Sequence, residues 1–277
     1  MWALKSIITI SFISILFGCN PKAKNPTTPV PPVTGDTTKK HLGDSVLENK
    51  QMDEYSIAEN TRRKPRPPKP TPGEPPVVVT PVNGCFFLDF NGHNVSGTMW
   101  NVRGDFLCAP SGLNSTGEQT VFDRVVNYYA VFNPYILITR DENVFNSYPV
   151  NKRRRIVITT TMPDGFQNQG GVAYLNSFGW FDNSPAFVNS AGLNFNPKNI
   201  SDACGHEAGH TLGCRHQSDW RYNVDGSCYK YSDYLWANLI MGASYQDPNP
   251  VWGIGANSLG CTVIQNDTAV IFATLRK

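Results

Sequence analysis

Eleven residues, His206-Glu207-Ala208-Gly209-His210-Thr211-Leu212-Gly213-Cys214-Arg215-His216, hold three of the chain's five histidines. His206 and His210 are four apart, so on a helix their imidazoles share one face and can bind one metal ion from one side. Glu207 is turned about 100° from His206. Its carboxylate can reach a metal-bound water without being a ligand. A catalytic zinc takes three protein ligands and keeps a position open for water. Gly213 can adopt φ > 0 and so lets the chain leave the helix sharply, which allows His216 to return as the third ligand. HExxHxxGxxH in a chain this long arises by chance with a frequency of roughly 10⁻⁵ at average residue frequencies. A structural zinc site is normally closed by a fourth side chain, with no glutamate beside it. The expected chemistry is therefore hydrolysis: zinc on His206, His210 and His216, with Glu207 as general base on the bound water.

These residues need a frame. Asn199–Leu212 reads as the helix that carries the motif, with Ser201 or Asn199 as N-cap and Gly213 as the stop. Upstream, Cys85–Phe90, Tyr135–Thr139 and Arg155–Thr161 read as strands rich in β-branched and aromatic residues, and Gly170–Phe178 as a further strand after a glycine pair. Gly117–Phe132 places Val121, Val125, Tyr128, Tyr129 and Phe132 at helical spacing, and Asn133-Pro134 ends it. Residues Ser258 to Thr274 read as a last helix. Strands alternating with helices predict an α/β fold (α+β mixed) over residues 82–277. There are no internal repeats.

The frame is preceded by something different. Residues 1–18 read as an export signal: Lys5 is a short positive region, and Ile7–Phe17 is an apolar run too short to span a membrane. The run ends in Leu16-Phe17-Gly18-Cys19, which resembles a bacterial lipobox, so Cys19 is the expected lipidation site and a membrane anchor. Residues 19–81 contain 13 of the chain's 21 prolines. That is tether composition, stiffened toward polyproline II. Its less proline-rich middle, around His41–Asn60, reads as a spacer that could hold a short helix or act as a small inhibitory propeptide.

Net charge is +2 over 277 residues, but from residue 82 on there are 13 Lys+Arg against 15 Asp+Glu, while residues 20–81 carry 10 against 7. The basic character belongs to the tether. No basic stripe suits nucleic acid, and Lys152-Arg153-Arg154-Arg155 reads as a solvated turn. His41 and His93 read as surface or turn residues. Without Cys19, six of the seven cysteines remain, an even number that in an exported domain predicts disulfides, with fifteen pairings open. Cys214 is expected to tie the glycine turn through one of them, with a fourth zinc ligand as the alternative.

The motif resembles the metzincin signature, HExxHxxGxxH followed by a Met-turn. Met241 in Asn238-Leu239-Ile240-Met241-Gly242 is the Met-turn candidate. Gly170–Phe178 looks like the antiparallel edge strand that metzincins of the reprolysin/adamalysin type place above the cleft, where extended substrate pairs. Cys85–His93, the Arg124–Glu142 helix–strand unit and Gln265-Asn266-Asp267 extend the likeness to secreted bacterial reprolysin-like metallopeptidases over residues 84–277. The resemblance implies a twisted, mostly parallel sheet, an active-site helix, a Met-turn floor at Met241, a C-terminal helix, and main-chain substrate contacts at Gly171, Val172, Ala173 and Tyr174. It departs from the family in four places. There is no PRCGxPD-type cysteine switch, Cys214 lies inside the motif, Gln217 follows the third histidine, and Tyr245 lies four residues after Met241 rather than two.

The function expected is a monomeric zinc endopeptidase acting on extended protein or peptide substrates, lipid-anchored at Cys19 on the periplasmic or outer side of a bacterial envelope, or released. Two alternatives stand beside it: a catalytically silent binding module on the same fold, and a zinc amidase acting on cell-wall peptides. The intact Glu207 argues against the first, since binding alone needs no base.

Overall fold

A computed structural model of the chain describes residues 43–47 and 83–277 apart from Trp236. The expected signal segment, Cys19, His41 and most of the expected tether lie outside the described residues. The chain divides into two units, residues 1–40 and 41–277, and all described residues fall in the second. In chain order the elements are β1 (Gly43–Leu47), β2 (Gly84–Asp89), β3 (His93–Val95), β4 (Phe106–Cys108), α1 (Ser115–Tyr129), β5 (Ile136–Thr139), α2 (Glu142–Asn146), β6 (Arg153–Thr159), β7 (Gln169–Tyr174), β8 (Ala186–Asn189), α3 (Pro197–Thr211), β9 (Asp219–Tyr222), β10 (Cys228–Ser232), β11 (Ile254–Ala256), β12 (Ile264–Asn266) and α4 (Asp267–Leu275).

The main sheet runs β1-β7-β8-β6-β2-β5. Every pairing in it is parallel except β7 with β8, which is antiparallel. The fold is thus mixed α/β with a mostly parallel sheet and one reversed strand. The strand sequences explain why. Phe86, Leu88, Ile156, Ile158, Ala186 and Val188 face a core shared with the three long helices, among them Val121, Val125 and Tyr129 of α1, Ile200 and Ala208 of α3, and Ile271 of α4. The alternate positions Val157, Val172 and Phe187 pack on the other face with Trp100 and Met162, and Cys85 and Phe87 pack there with Phe145 and Tyr148. Strands covered on both faces need apolar residues at successive positions, which is why they read as short unbroken runs.

Several expectations need correction. The expected helix at Gly117–Phe132 starts earlier, because Asn114 caps it by accepting from Gly117 N, and after Tyr129 it tightens into a 3₁₀ turn. The expected last helix is in fact strand β12 followed by α4, capped by Asn266. The part of the tether read as spacer or short helix contains β1. His93 is no surface turn residue: it opens β3 beside the Asp89 carboxylate, 3.9 Å away, and burial lowers its pKa.

The basic run is not a solvated turn either. Arg153–Arg155 open β6, and Arg154 is among the largest fully buried side chains, 1% exposed. Its guanidinium donates to the carbonyls of Ser177, Phe178, Trp180, Asp182 and Ser184. Burial pulls its pKa down to about 10, against the opposing pull of Asp182. Nothing local to the run marks this, because the five carbonyls belong to residues 177–184, more than twenty positions on.

The disulfide expectation holds for one pair among the described residues, Cys228–Cys261. Cys85, Cys108, Cys204 and Cys214 are free and buried. They behave as small hydrophobes rather than links, and burial pushes the Cys85 and Cys108 thiols up to about 12. Cys214 points its Sγ toward the Asp267 carbonyl at 3.7 Å, so no disulfide ties the glycine turn.

Candidate metal centre

Helix α3 begins earlier than the sequence suggested. Asn196 is the N-cap and accepts from Lys198 N and Asn199 N, and Pro197 takes the first helical position. From there the 3.6-residue period carries His206 and His210 to one face near the helix end, with no exposed surface around them beyond a few percent. Gly213 has φ +104, and a Cβ there would stand 2.5 Å from Asn176 Oδ1. No other residue turns the chain at this point without strain, and the turn brings His216 back against the helix. The ring centroids of His206, His210 and His216 are 4.5, 4.8 and 5.2 Å apart pairwise. Their ligand atoms lie within 4.8 Å of one another, so the three histidines could hold a metal ion.

The backbone sets which nitrogen each ring offers. His206 Nδ1 donates to the Ile240 carbonyl and His210 Nδ1 to the Cys214 carbonyl, both at 2.6 Å. With Nδ1 carrying the proton, Nε2 presents its lone pair, the orientation that outer hydrogen bonds impose on metal-binding histidines. The Nε2 atoms of His210 and His216 are buried and meet no hydrogen-bond partner within the protein. Burial, followed by the neighbouring imidazoles, holds the pKa of both rings well below its usual value. A buried cluster of three imidazoles, with the Nε2 atoms of His210 and His216 meeting no partner within the protein, fits a divalent metal of zinc's ligand preference.

Glu207 is fully buried. Its carboxylate lies against β7 where that strand has Gly171: a Cβ there would stand 2.5 Å from Glu207 Oε1 and 2.7 Å from its Cγ. The other proposed substrate residues follow along β7. Val172 and Ala173 are buried on opposite faces of the sheet, and Tyr174 is half-buried with its hydroxyl donating to the Met99 carbonyl at 3.2 Å. Met241 is fully buried, and its Sδ lies 2.6 Å from where a Cβ on Gly209 would stand. It sits in a turn closed by Gly242 N donating to Leu239 O. Tyr245 packs against the main core.

The sequence reading missed three supports of the site. Asp267 anchors the loop that carries His216. Its Oδ1 accepts from Gln217 Nε2 and Gln265 Nε2, and Gln265 in turn bonds both the N–H and the carbonyl of Arg215. Gln217 is therefore a strut. Asp202, one turn before His206, accepts from Tyr128, Lys198 and Ser244, which joins α1, α3 and the segment after Met241. An aspartate among the small buried residues of α3 was the one available signal. Tyr234 stacks on His216 with centroids 4.5 Å apart, and nothing local in the sequence marks it.

A scan of protein-family models returns no match for this chain, and a search of curated proteins returns none either.

Proposed function

We propose that the chain is a zinc endopeptidase of metzincin type. The observation that carries this reading is the buried triad of His206, His210 and His216 with Glu207 beside it. The triad would hold the metal, which when bound supplies a Lewis acid for the scissile carbonyl and acidifies water. Glu207 takes the proton of the attacking water and delivers it to the leaving amine. Its lack of solvent contact strengthens each of these electrostatic interactions. The carbonyls of Ile240 and Cys214 keep two rings from turning away, and Met241 fills the space beneath α3. Strand β7 supplies main-chain groups for an extended peptide. The Cys228–Cys261 disulfide favours an oxidising compartment, in keeping with export and a lipid anchor at Cys19. Among the described residues no helix is long and apolar enough to cross a membrane.

The test is cleavage of a peptide library by the zinc-loaded protein, with purified cell-wall sacculi assayed in parallel. Peptide cleavage that stops on chelation and returns with zinc supports the reading. Cleavage of sacculi alone would replace it with the amidase. Zinc binding with no hydrolysis of either would leave a binding module.

A further inference from the structure

A cavity of about 160 Å³ opens at the start of β6, beside Phe145 and on the face of the sheet away from α1 and α3. None of the residues that line it is acidic. Arg153, Arg154 and Arg155 all contribute to its wall, with His93 and Asn94 from β3, Asn146 from α2 and Asn183 from the segment before β8. The three arginines differ in how their charge is met. Arg155 bonds the Asp89 and Glu142 carboxylates, and Arg154 has Asp182 at 3.5 Å. Arg153 forms no ion pair with a described carboxylate. It is held over the Phe145 ring at 4.6 Å, with Nη1 donating to the Phe145 carbonyl and to Asn146 Oδ1. Its Nε is buried and meets no partner, and the same is true of Arg154 Nε. Burial, and after it the Arg155 guanidinium, lower the Arg153 pKa, so the cation sits where a bound anion would stabilise it. Because Asn146 Oδ1 accepts from Arg153, its amide nitrogen is the end left over. The amide nitrogens of Asn94 and Asn183 likewise donate to no described residue.

We propose that this cavity is a binding site for a tetrahedral oxyanion, phosphate or sulfate, free or at the end of a small molecule. The site does not depend on the peptidase reading above. Buried polar groups are nearly always paired, so guanidinium nitrogens left over in a cavity wall call for a partner. Guanidinium is the side chain whose fork of donors matches oxyanions of phosphorus and sulfur. The remaining donors come from four separate segments around the space. A tetrahedral anion offers acceptors in every direction, whereas the two oxygens of a carboxylate lie in one plane. A phosphate group also carries close to two charges at neutral pH, which one uncompensated arginine meets better with amide donors beside it. The basic run at the start of β6 thus has one member for the loop carbonyls, one for the acids of β2 and α2, and one left for a ligand.

The test is calorimetric titration of the full chain at fixed ionic strength with inorganic phosphate, sulfate, glucose 6-phosphate and acetate, with zinc and without. Arg153→Gln removes the uncompensated charge. Asn94→Ala removes an exposed amide that has no partner to lose, and keeps the test open if Arg153→Gln does not fold. Arg140→Gln is the control, an exposed arginine outside the cavity. Phosphate or sulfate should bind in both zinc states and raise the melting temperature. Arg153→Gln should weaken that binding at least about tenfold and Asn94→Ala about three- to tenfold, with Arg140→Gln unchanged. Glucose 6-phosphate binding tighter than phosphate supports a site for a carried anion, and the reverse order supports a site for the free ion. Binding of neither phosphate nor sulfate overturns the proposal. So does binding that Arg153→Gln and Asn94→Ala leave unchanged, or binding that vanishes with the zinc, which would place the anion on the metal. Acetate binding as tightly as phosphate overturns the tetrahedral class and leaves a carboxylate site.

Discussion

His206 and His210 come from a helix and His216 from a loop, and the two halves of the site are held by different physics. On α3, backbone periodicity alone sets the spacing of the two rings, and an N-cap at Asn196 with Asp202 behind it holds the helix in the core. The loop half has no periodicity to rely on. It is set by one positive-φ glycine and by Asp267, which reaches the His216 arm from the start of α4 through two glutamines. A local rule positions the first half and a tertiary network the second, so the second half should fail more gradually.

The largest effect is expected on the helix. Glu207→Gln keeps the shape and removes the base, so turnover should fall by about 10² to 10⁴-fold with zinc binding and melting temperature kept. Loss of zinc together with activity would mean that Glu207 is structural. On the loop, Asp267→Ala frees Gln217 and Gln265 and should weaken zinc binding by about 10- to 100-fold, as losses of outer-sphere partners do. Competition with a chromogenic chelator measures it. An unchanged affinity would show that the loop needs no brace and that the two halves of the site do not differ in this way. Gly213→Ala tests the joint between the halves. Its methyl meets Asn176 Oδ1 at a φ that alanine resists, so about 1–3 kcal/mol of stability should be lost in denaturant titration.

A smaller effect comes from pH. His210 and His216 take protons less readily folded than unfolded. The unfolded chain therefore binds more protons below the ordinary histidine value near 6.5, and stability falls as pH drops through that value toward the lowered folded ones. The zinc-free protein should melt several degrees lower at pH 5.5 than at pH 7.5. A flat profile would mean that the triad is already hydrated.

The same contrast explains what the sequence disclosed. The grouping of His206, His210 and His216 and the sharp turn at Gly213 were legible because each belongs to a short pattern with a mechanical reason for its spacing. The strands were legible as apolar runs. Arg154 and Asp267 were not, since both act on segments distant in the chain and look like ordinary surface charges when read locally. The even cysteine count misled because four thiols were already spoken for by packing. Strand β1 was hidden in the tether, where five residues between prolines and charges carry too little alternation to announce a partner more than a hundred residues away.

Arg154 has a kinetic consequence. Five carbonyls of the 177–184 segment converge on one guanidinium. Until β6 brings it to them they must stay hydrated, and until they arrive the cation cannot leave water. Neither side can order first. The segment that links β7 to β8, and with it the reversed strand beside the triad, should therefore be acquired and lost in one cooperative step with β6 at the centre of the sheet.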